Sequence, residues 1–326
     1  MFLLDSLEKA LVLVFLVTAM ASLGMQITAA DLRAQAAWRG LRWRTLLANF
    51  VVVPAGGILL ARLFVADPGT ARALVLLACT PGGLSALQFT TKAKGVAAYA
   101  GATACLLALL AVFLSPLILA LTMPAADSVA APAAGAWQVI LSFLSLPMVL
   151  ARACGFLVFF LVVPMLLGML VQARAAHLAL RLSKVLGLTS VVVFVTLIVV
   201  LMAPRKEAML QIGGQAIALL FVLILFSMLV GWLLGGPETE TRQVLASATS
   251  MRNVALALPI AATFPDASAV LPALIAFSAL MVPPNLLLAI ACLIHNRRQA
   301  RRQQATVPAS AEPAAAPSAA GGRHRP

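Results

Sequence analysis

The chain has 326 residues, of which 63% are hydrophobic and only 10% are charged, and its net charge is +13. Soluble globular domains contain roughly 45–50% apolar and about 25% charged residues, because a surface in contact with water needs charge. The composition therefore excludes a soluble protein with a single core and predicts a protein of the lipid bilayer.

Nine apolar segments are long enough to be membrane-spanning helices, which need roughly 20 mostly apolar residues. They lie near residues 8–29, 45–65, 72–91, 96–121, 153–172, 185–203, 210–234, 244–263 and 269–294. The first segment has Asp5 and Glu8 at its N-terminal end, an acidic start that is not typical of a cleaved signal peptide. We expect this helix to be retained, although Ala19-Met20-Ala21 resembles a cleavage site.

Basic residues are concentrated in alternate loops between the segments and in the C-terminal tail. The basic set comprises Arg33, Arg39, Arg42, Arg44, Lys92, Lys94, Arg174, Arg181, Lys184, Arg242, Arg297, Arg298, Arg301 and Arg302. Loops rich in Lys and Arg face the cytoplasm, which predicts an outside N-terminus and an inside C-terminus in a cytoplasmic membrane. Because the charge serves orientation and no basic-aromatic stripe occurs, the expected partner is the bilayer and not nucleic acid.

Two regions differ from this pattern. Residues 137–152, which end at Arg152, are apolar and favour an interfacial helix that leads into the fifth segment. Residues 303–326 are rich in Ala, Pro, Gln and Ser and have no periodicity. We therefore predict a membrane domain over residues 1–302 and a disordered cytoplasmic tail over residues 303–326.

The third and eighth segments are interrupted at mid-span. The third contains Thr80-Pro81-Gly82-Gly83, in which proline removes an amide donor and glycine relaxes the backbone. The eighth carries a polar run over residues 247–253. Broken helices at membrane depth are tolerated only where they line protein or a water-filled cavity. An ordinary proline kink is the alternative explanation for the first break taken alone.

The two interrupted segments are five apart in order, so they run in opposite directions through the membrane. Paired interruptions in corresponding positions of two halves are typical of transporters built from inverted repeats. No H-E-x-x-H or G-x-S-x-G motif occurs, and no Asp or Glu falls inside a segment, so we do not expect an enzyme. A membrane receptor or sensor that binds without transport is the alternative, and uptake into proteoliposomes distinguishes the two.

The chain also resembles the bile acid:sodium symporter family over residues 10–295. The motifs that carry the resemblance are Leu23-Gly24-Met25 with Asp31-Leu32, Asn49-Phe50 with Pro54, Cys79-Thr80-Pro81-Gly82-Gly83, Ser115-Pro116, Met251 with Asn253, and Asn285. The resemblance implies an all-α fold of two inverted repeats, divided into core and panel domains, with two broken helices that cross in the core. It implies nine helices here, because the chain begins at the family's second helix.

The same resemblance implies a small organic anion as the substrate, moved by a symporter-type mechanism. It places Pro81, Gly82, Gly83, Asn253 and Asn285 near that anion. Ser85 and Gln88 are further polar candidates after the first break. The amide-rich start of a half-helix, with its positive dipole end, suits a carboxylate or sulfonate.

Several positions depart from what the resemblance implies for sodium binding. Ala86, Leu87, Ala100, Ala104 and Ala248 stand where the family has hydroxyl, amide or glutamate ligands. Three further positions, Asn49, Met251 and Arg252, are equivalents of ion-site positions, and Arg252 replaces a glutamine. A hard cation prefers several oxygen ligands. We therefore predict no cofactor, since sodium lacks most of its ligands here.

Arg252 is the only Lys or Arg deep within a segment. A charge at a helix centre costs at least about 2.5–3.5 kcal/mol and by default indicates a functional site. We hypothesise that its guanidinium takes the place of sodium, braces the crossing and attracts the anion. An arsenite-type efflux carrier is a further alternative, for which Cys79 would be the soft ligand; the cysteines and histidines otherwise predict no metal site.

Overall fold

The computed structural model describes residues 6–28, 39–65, 67–82, 94–130, 155, 158–202, 212–261, 264 and 267–306. All regular secondary structure within these ranges is helical. The all-α class predicted from the sequence is therefore confirmed for the described residues.

The first half of the chain contains α1 to α5. α1 is Ser6–Gln26, and α2, residues 39–64, consists of Arg39–Leu47, a π-helical turn Ala48–Val52 and Val53–Phe64. The helices that follow are α3, Pro68–Cys79, and α4, Lys94–Ala130. α5, residues 158–174, consists of a π-helical turn Val158–Val162 and Val163–Arg174.

The second half contains α6 to α11. α6 is Ala176–Met202 and α7 is Gly214–Leu234. α8, Thr239–Ser250, and α9, Val254–Ala261, are the two parts of a broken helix. α10 is Ala267–Leu280 and α11 is Val282–Thr306.

Five helical segments in the described ranges are long and apolar enough to cross a membrane: Ser6–Gln26, Gly40–Phe64, Ala176–Leu197, Gly214–Leu234 and Ala269–Gln299. A sixth consists of two parts of α4 that meet at 49°. The other predicted segments correspond to shorter helices, which are α3, α5 and the pair α8 and α9. Each of the nine predicted segments overlaps a helix, but the count of nine spans stays a prediction.

The helices pack in two groups. α1 packs against α5 and α6, whereas α2 packs against α3 and α7, and α8 packs against α4, α7 and α11. The two groups meet where α1 contacts α9 and α4. The backbones of α1 and α5 touch, because a Cβ on Gly24 would overlap the Met165 carbonyl group and one on Gly168 would overlap that of Ala21. Such close contact through small residues is common between membrane helices.

Polarity is distributed in the reverse of a soluble protein. Leu233, on α7, is 68% exposed, and Trp43, near the start of α2, is 69% exposed. The polar run from Ser247 to Asn253 is buried. Apolar side chains thus face outward and the polar groups are enclosed between helices, as lipid requires.

Some predicted features lie outside the described residues, among them Asp31-Leu32 and the interfacial helix at residues 137–152. α11 continues to Thr306, so residues 303–306 of the predicted tail are helical. The remaining tail, residues 307–326, is also outside the described ranges.

Candidate functional site

The first break follows α3 and depends on a proline and a glycine. Thr80 closes the helix, since its hydroxyl donates to the Leu76 carbonyl oxygen at 3.0 Å. Pro81 has no N–H with which to continue a helix. Gly82 has a φ of +87°, in the left-handed region that favours glycine, and a Cβ there would lie 3.0 Å from Cβ of Leu107. The chain therefore leaves the helical path at Thr80 for local steric reasons.

The second break separates α8 from α9. α8 ends at Ser250, and Met251 is extended with φ −86° and ψ 96°. Asn253 then starts α9, because its Oδ1 accepts a hydrogen bond from the Leu256 N–H at 3.1 Å. This is the geometry of a helix N-cap, for which Asn is among the preferred residues.

A backbone hydrogen bond joins the two breaks. The N–H of Asn253 donates to the carbonyl oxygen of Thr80 at 2.9 Å. The segments Thr80–Gly82 and Met251–Asn253 therefore lie side by side, although 173 positions separate the bonded residues in the sequence.

Arg252 lies within the second break. Its side chain is 1% exposed and is the largest fully buried side chain among the described residues. Nη1 donates a long hydrogen bond of 3.4 Å to Oδ1 of Asn49, while the buried Nε and Nη2 have no protein partner. Over the described ranges, no carboxylate lies within ion-pair distance of this guanidinium. A buried guanidinium with neutral neighbours is poorly compensated.

Asn49 fixes which edge of the guanidinium is engaged. Its Nδ2 donates to the Thr45 carbonyl oxygen at 3.0 Å and to Oγ1 of Thr249 at 3.2 Å. These partners assign the amide orientation and leave Oδ1 facing Arg252. Since Nη1 is engaged, the unpartnered Nε and Nη2 form one edge of the planar group. That edge presents two parallel N–H bonds, the arrangement that binds two oxygens of one acceptor.

Asn285 serves as a brace between helices. Its Oδ1 accepts from the Ser250 hydroxyl at 2.9 Å, and its Nδ2 donates to the Met281 carbonyl oxygen at 2.8 Å. Both ends of the amide are therefore engaged, and the bond to Ser250 links the end of α8 to α11. By contrast, Nδ2 of Asn253 is buried and has no protein partner.

The structure brings together most of the predicted site residues that it describes. Pro81, Gly82, Met251, Arg252 and Asn253 form the two joined breaks, and Asn49 contacts them through Arg252. Asn285 reaches the second break through Ser250. Gly83, Ser85 and Gln88 lie outside the described residues, as do Ala86 and Leu87.

Sequence reasoning missed Thr45 and Thr249, which hold Asn49. The spacing of Thr45 and Asn49, four residues apart on one helix face, is the signal that indicates the first contact. Thr249 belongs to the polar run over residues 247–253, but its partner, Asn49, is 200 positions away in the sequence. No local pattern predicts that pairing.

Among the described residues, three positions that the resemblance assigns to sodium ligands carry alanine. Ala100, Ala104 and Ala248 are buried and offer no side-chain oxygen. The charged guanidinium of Arg252 in the second break would repel a cation. No cluster of three His, Cys, Asp or Glu that could hold a metal occurs within the described part of the chain.

Comparison with known families decides the class of protein. The sequence profile of the SBF-like CPA transporter family matches residues 5–294. The chain belongs to this family. The predicted membership in a bile acid:sodium symporter-like family is thereby confirmed. No curated protein matches the chain.

Membership in the SBF-like CPA transporter family identifies the chain as a transporter, and its apolar helices identify it as a multi-pass membrane protein. The prediction that it is not an enzyme agrees with the family. Among the described residues, the joined breaks around Arg252 enclose a run of buried polar groups.

Proposed function

We propose that this chain is a secondary transporter that moves a small organic anion across the cytoplasmic membrane by alternating access, without sodium. One observation carries the proposal. The buried guanidinium of Arg252 has two nitrogens without a protein partner and no carboxylate beside it in the described ranges.

The placement of acidic residues in the sequence supports a bound anion, and not a protein carboxylate, as the counter-charge of Arg252. Every Asp and Glu lies at the end of a predicted segment or in a loop or tail. An uncompensated charge at membrane depth costs at least about 2.5–3.5 kcal/mol. An anion bound to the free edge of Arg252, which consists of Nε and Nη2, would offset that cost, because opposite charges attract strongly where water is excluded.

The second break also offers donors to an anion. α9 begins directly after Arg252 and Asn253 and presents the positive end of its dipole, while α8 ends at Ser250 with its negative end. The amide Nδ2 of Asn253 adds a further buried donor without a partner. A site made of donors binds an acceptor-rich group such as a carboxylate or sulfonate.

The packing suggests how access alternates. Both breaks belong to one group of helices, and α9 also contacts α1 of the other group. Movement of these groups against each other would open the site to one side and then to the other, as in transporters with inverted repeats. The alternation of basic loops favours an outside N-terminus and an inside C-terminus.

A thermal-shift panel on the purified full chain tests the proposal. We use choline salts of acetate, butyrate, benzoate, methanesulfonate and benzenesulfonate, each with and without sodium chloride. Anions that bind should raise the melting temperature, and sodium should add nothing. Arg252→Ala should abolish the shift and Arg252→Lys should keep part of it, because lysine retains the charge but not the planar edge.

Arg44→Ala is the matched control, since Arg44 is exposed and lies outside the site. Uptake of the best-binding anion into proteoliposomes then separates a transporter from a sensor. A saturable sodium requirement in the wild type, together with an active Arg252→Ala variant, would contradict the proposal.

A further inference from the structure

We propose that this transporter is an exchanger of monoanions, because its core changes access readily only when a single negative charge neutralises Arg252. The inference rests on the anion transport proposed above and adds two properties to it. These are the charge of the substrate and the need for a returning substrate.

The charge balance of the site determines the charge of the substrate. Arg252 contributes one positive charge, and the described group to which it donates, the Asn49 amide, is neutral. A monoanion brings the site to zero. A dianion would leave one negative charge enclosed, which is as unfavourable as leaving Arg252 alone.

The geometry of the free edge restricts the anion further. Thr45 and Thr249 hold the Asn49 amide, and Asn49 in turn engages Nη1 of Arg252. The edge that remains, Nε and Nη2, offers parallel N–H bonds to two oxygens of one group. A carboxylate or sulfonate matches this edge, whereas a halide meets it with a single atom.

The need for a returning substrate follows from the step in which the site is closed to both sides of the membrane. If no anion is bound, that step encloses an uncompensated charge. A penalty of the size measured for charges at helix centres slows a step by roughly 70- to 400-fold. The loaded core has no such penalty, so return of the core requires an anion from the opposite side.

Exchange therefore moves one negative charge in each direction, and no net charge crosses the membrane per cycle. In net flux, the core would instead return without an anion, and the positive charge of Arg252 would move with it. Exchange should be insensitive to membrane voltage for this reason.

Counterflow in proteoliposomes of the full chain tests the inference. Labelled benzenesulfonate is the external probe, because a sulfonate has no acid form that leaks through lipid at neutral pH. The lumen contains choline salts of benzenesulfonate, of 1,3-benzenedisulfonate or of chloride, or the neutral benzenesulfonamide. On one ring, benzenesulfonate has one negative charge, the disulfonate has two and the sulfonamide has none. Chloride is a monoanion that lacks two oxygens.

We expect internal benzenesulfonate to accelerate uptake by roughly 70-fold or more over the other three conditions. A potential imposed with potassium and valinomycin should leave that rate unchanged. Equal uptake with benzenesulfonamide or with benzenesulfonate in the lumen would overturn the exchange mechanism. Equal stimulation by chloride would overturn the argument from two oxygens, and equal stimulation by the disulfonate would overturn the charge argument.

Failure of the underlying function would be recognised separately. If no anion of the thermal-shift panel binds, or if binding occurs without uptake under any lumenal condition, anion transport itself is contradicted and the exchange inference with it.

Discussion

The backbone N–H of Asn253 donates to the Thr80 carbonyl oxygen across 2.9 Å and joins the two broken helices at one point. Groups at helix ends lack partners within their own helix and must find them elsewhere. In lipid this requirement is strict, because no water replaces the missing partner. The two breaks therefore satisfy each other, and damage to one should weaken the other.

Gly82→Ala should destabilise the first break. A side chain in the left-handed region costs roughly 1–2 kcal/mol, and the new Cβ would also meet Leu107 at 3.0 Å. We expect a lower melting temperature and slower transport. Gly40→Ala is the control, because no atom lies within 4 Å of a Cβ there. An unchanged melting temperature in Gly82→Ala would mean that the break does not depend on this backbone conformation.

Asn49→Asp should convert Arg252 into an internal ion pair. The new carboxylate would stand at the position of Oδ1, 3.4 Å from Nη1 in the wild type. It would neutralise the guanidinium and repel a bound anion, so the affinity for benzenesulfonate should fall by at least about tenfold. Without anion, the melting temperature should fall less than in Asn285→Asp, since the buried charge gains a partner although the carboxylate no longer donates to Thr45 and Thr249. Thermal-shift titration measures both effects.

Asn285→Asp provides the matched control for this substitution. Asn285 is equally buried and lies in the same group of helices, but it contacts Ser250 and Met281 and not the guanidinium. Asp at this position should lower the melting temperature, because it buries a charge without a cation. If both variants behave alike, the effect of Asn49→Asp does not arise from Arg252.

Gly231→Ala should weaken the packing of α7 against α8. A Cβ at Gly231 would lie 2.5 Å from the Leu245 carbonyl oxygen and 2.6 Å from Cα of Ala246, so the backbones must separate. Overpacking of this kind typically costs about 1–3 kcal/mol. The melting temperature measures the loss, and Gly214→Ala in the same helix should be neutral because its surroundings are open. Equal stability of the two variants would argue against the close approach.

Asp67 should stabilise α3 in a pH-dependent way. It lies in the turn before α3, and burial raises its pKa, but the hydrogen bonds from Thr70 and Gly69 outweigh burial and hold the pKa below 3.8. A lowered pKa means that the stabilisation is complete above pH 3.8 and is lost as the pH falls through the folded-state value. Asp67→Ala should cost about 1 kcal/mol at neutral pH.

The difference in melting temperature between wild type and Asp67→Ala should therefore be constant above pH 3.8 and shrink below it. Asp67→Asn separates the cap from the charge, because Asn caps helices about as well as Asp. A difference that grows on acidification would have the wrong sign for this mechanism.

Hydropathy predicted the positions of the helices well where an apolar run alone defines them. The segment predicted at 210–234 is observed as Gly214–Leu234, and that at 8–29 as Ser6–Gln26. The ends differ where a helix continues beyond the apolar run. α6 begins at Ala176, nine residues before the predicted start, because the polar residues of its first turns still favour helix. Hydropathy indicates the length of the part of a helix that lies in lipid and not the length of the whole helix.

The site could be predicted in part. Proline and glycine indicated the first break, and the isolated arginine indicated a buried charge in the second, because both are local signals. The choice of Asn49 as the neighbour of Arg252 could not be predicted, since 203 positions separate them and only the fold brings them together. The same holds for Asn285, which was predicted near substrate and braces α8 through Ser250.

The π-helical turn Ala48–Val52 sets the rotational phase of α2. Pro54 follows it and has no N–H, and the Val53 N–H bonds five residues back to the Ala48 carbonyl oxygen. One extra residue in a turn rotates the preceding part of a helix by about 100° relative to the part that follows. The turn therefore contributes to the direction in which Thr45, which precedes it, and Asn49, which lies within it, face. Deleting one residue here would direct another side chain at the guanidinium while leaving the packing of Val53–Phe64 in place, so ligand preference can change by helix phase alone.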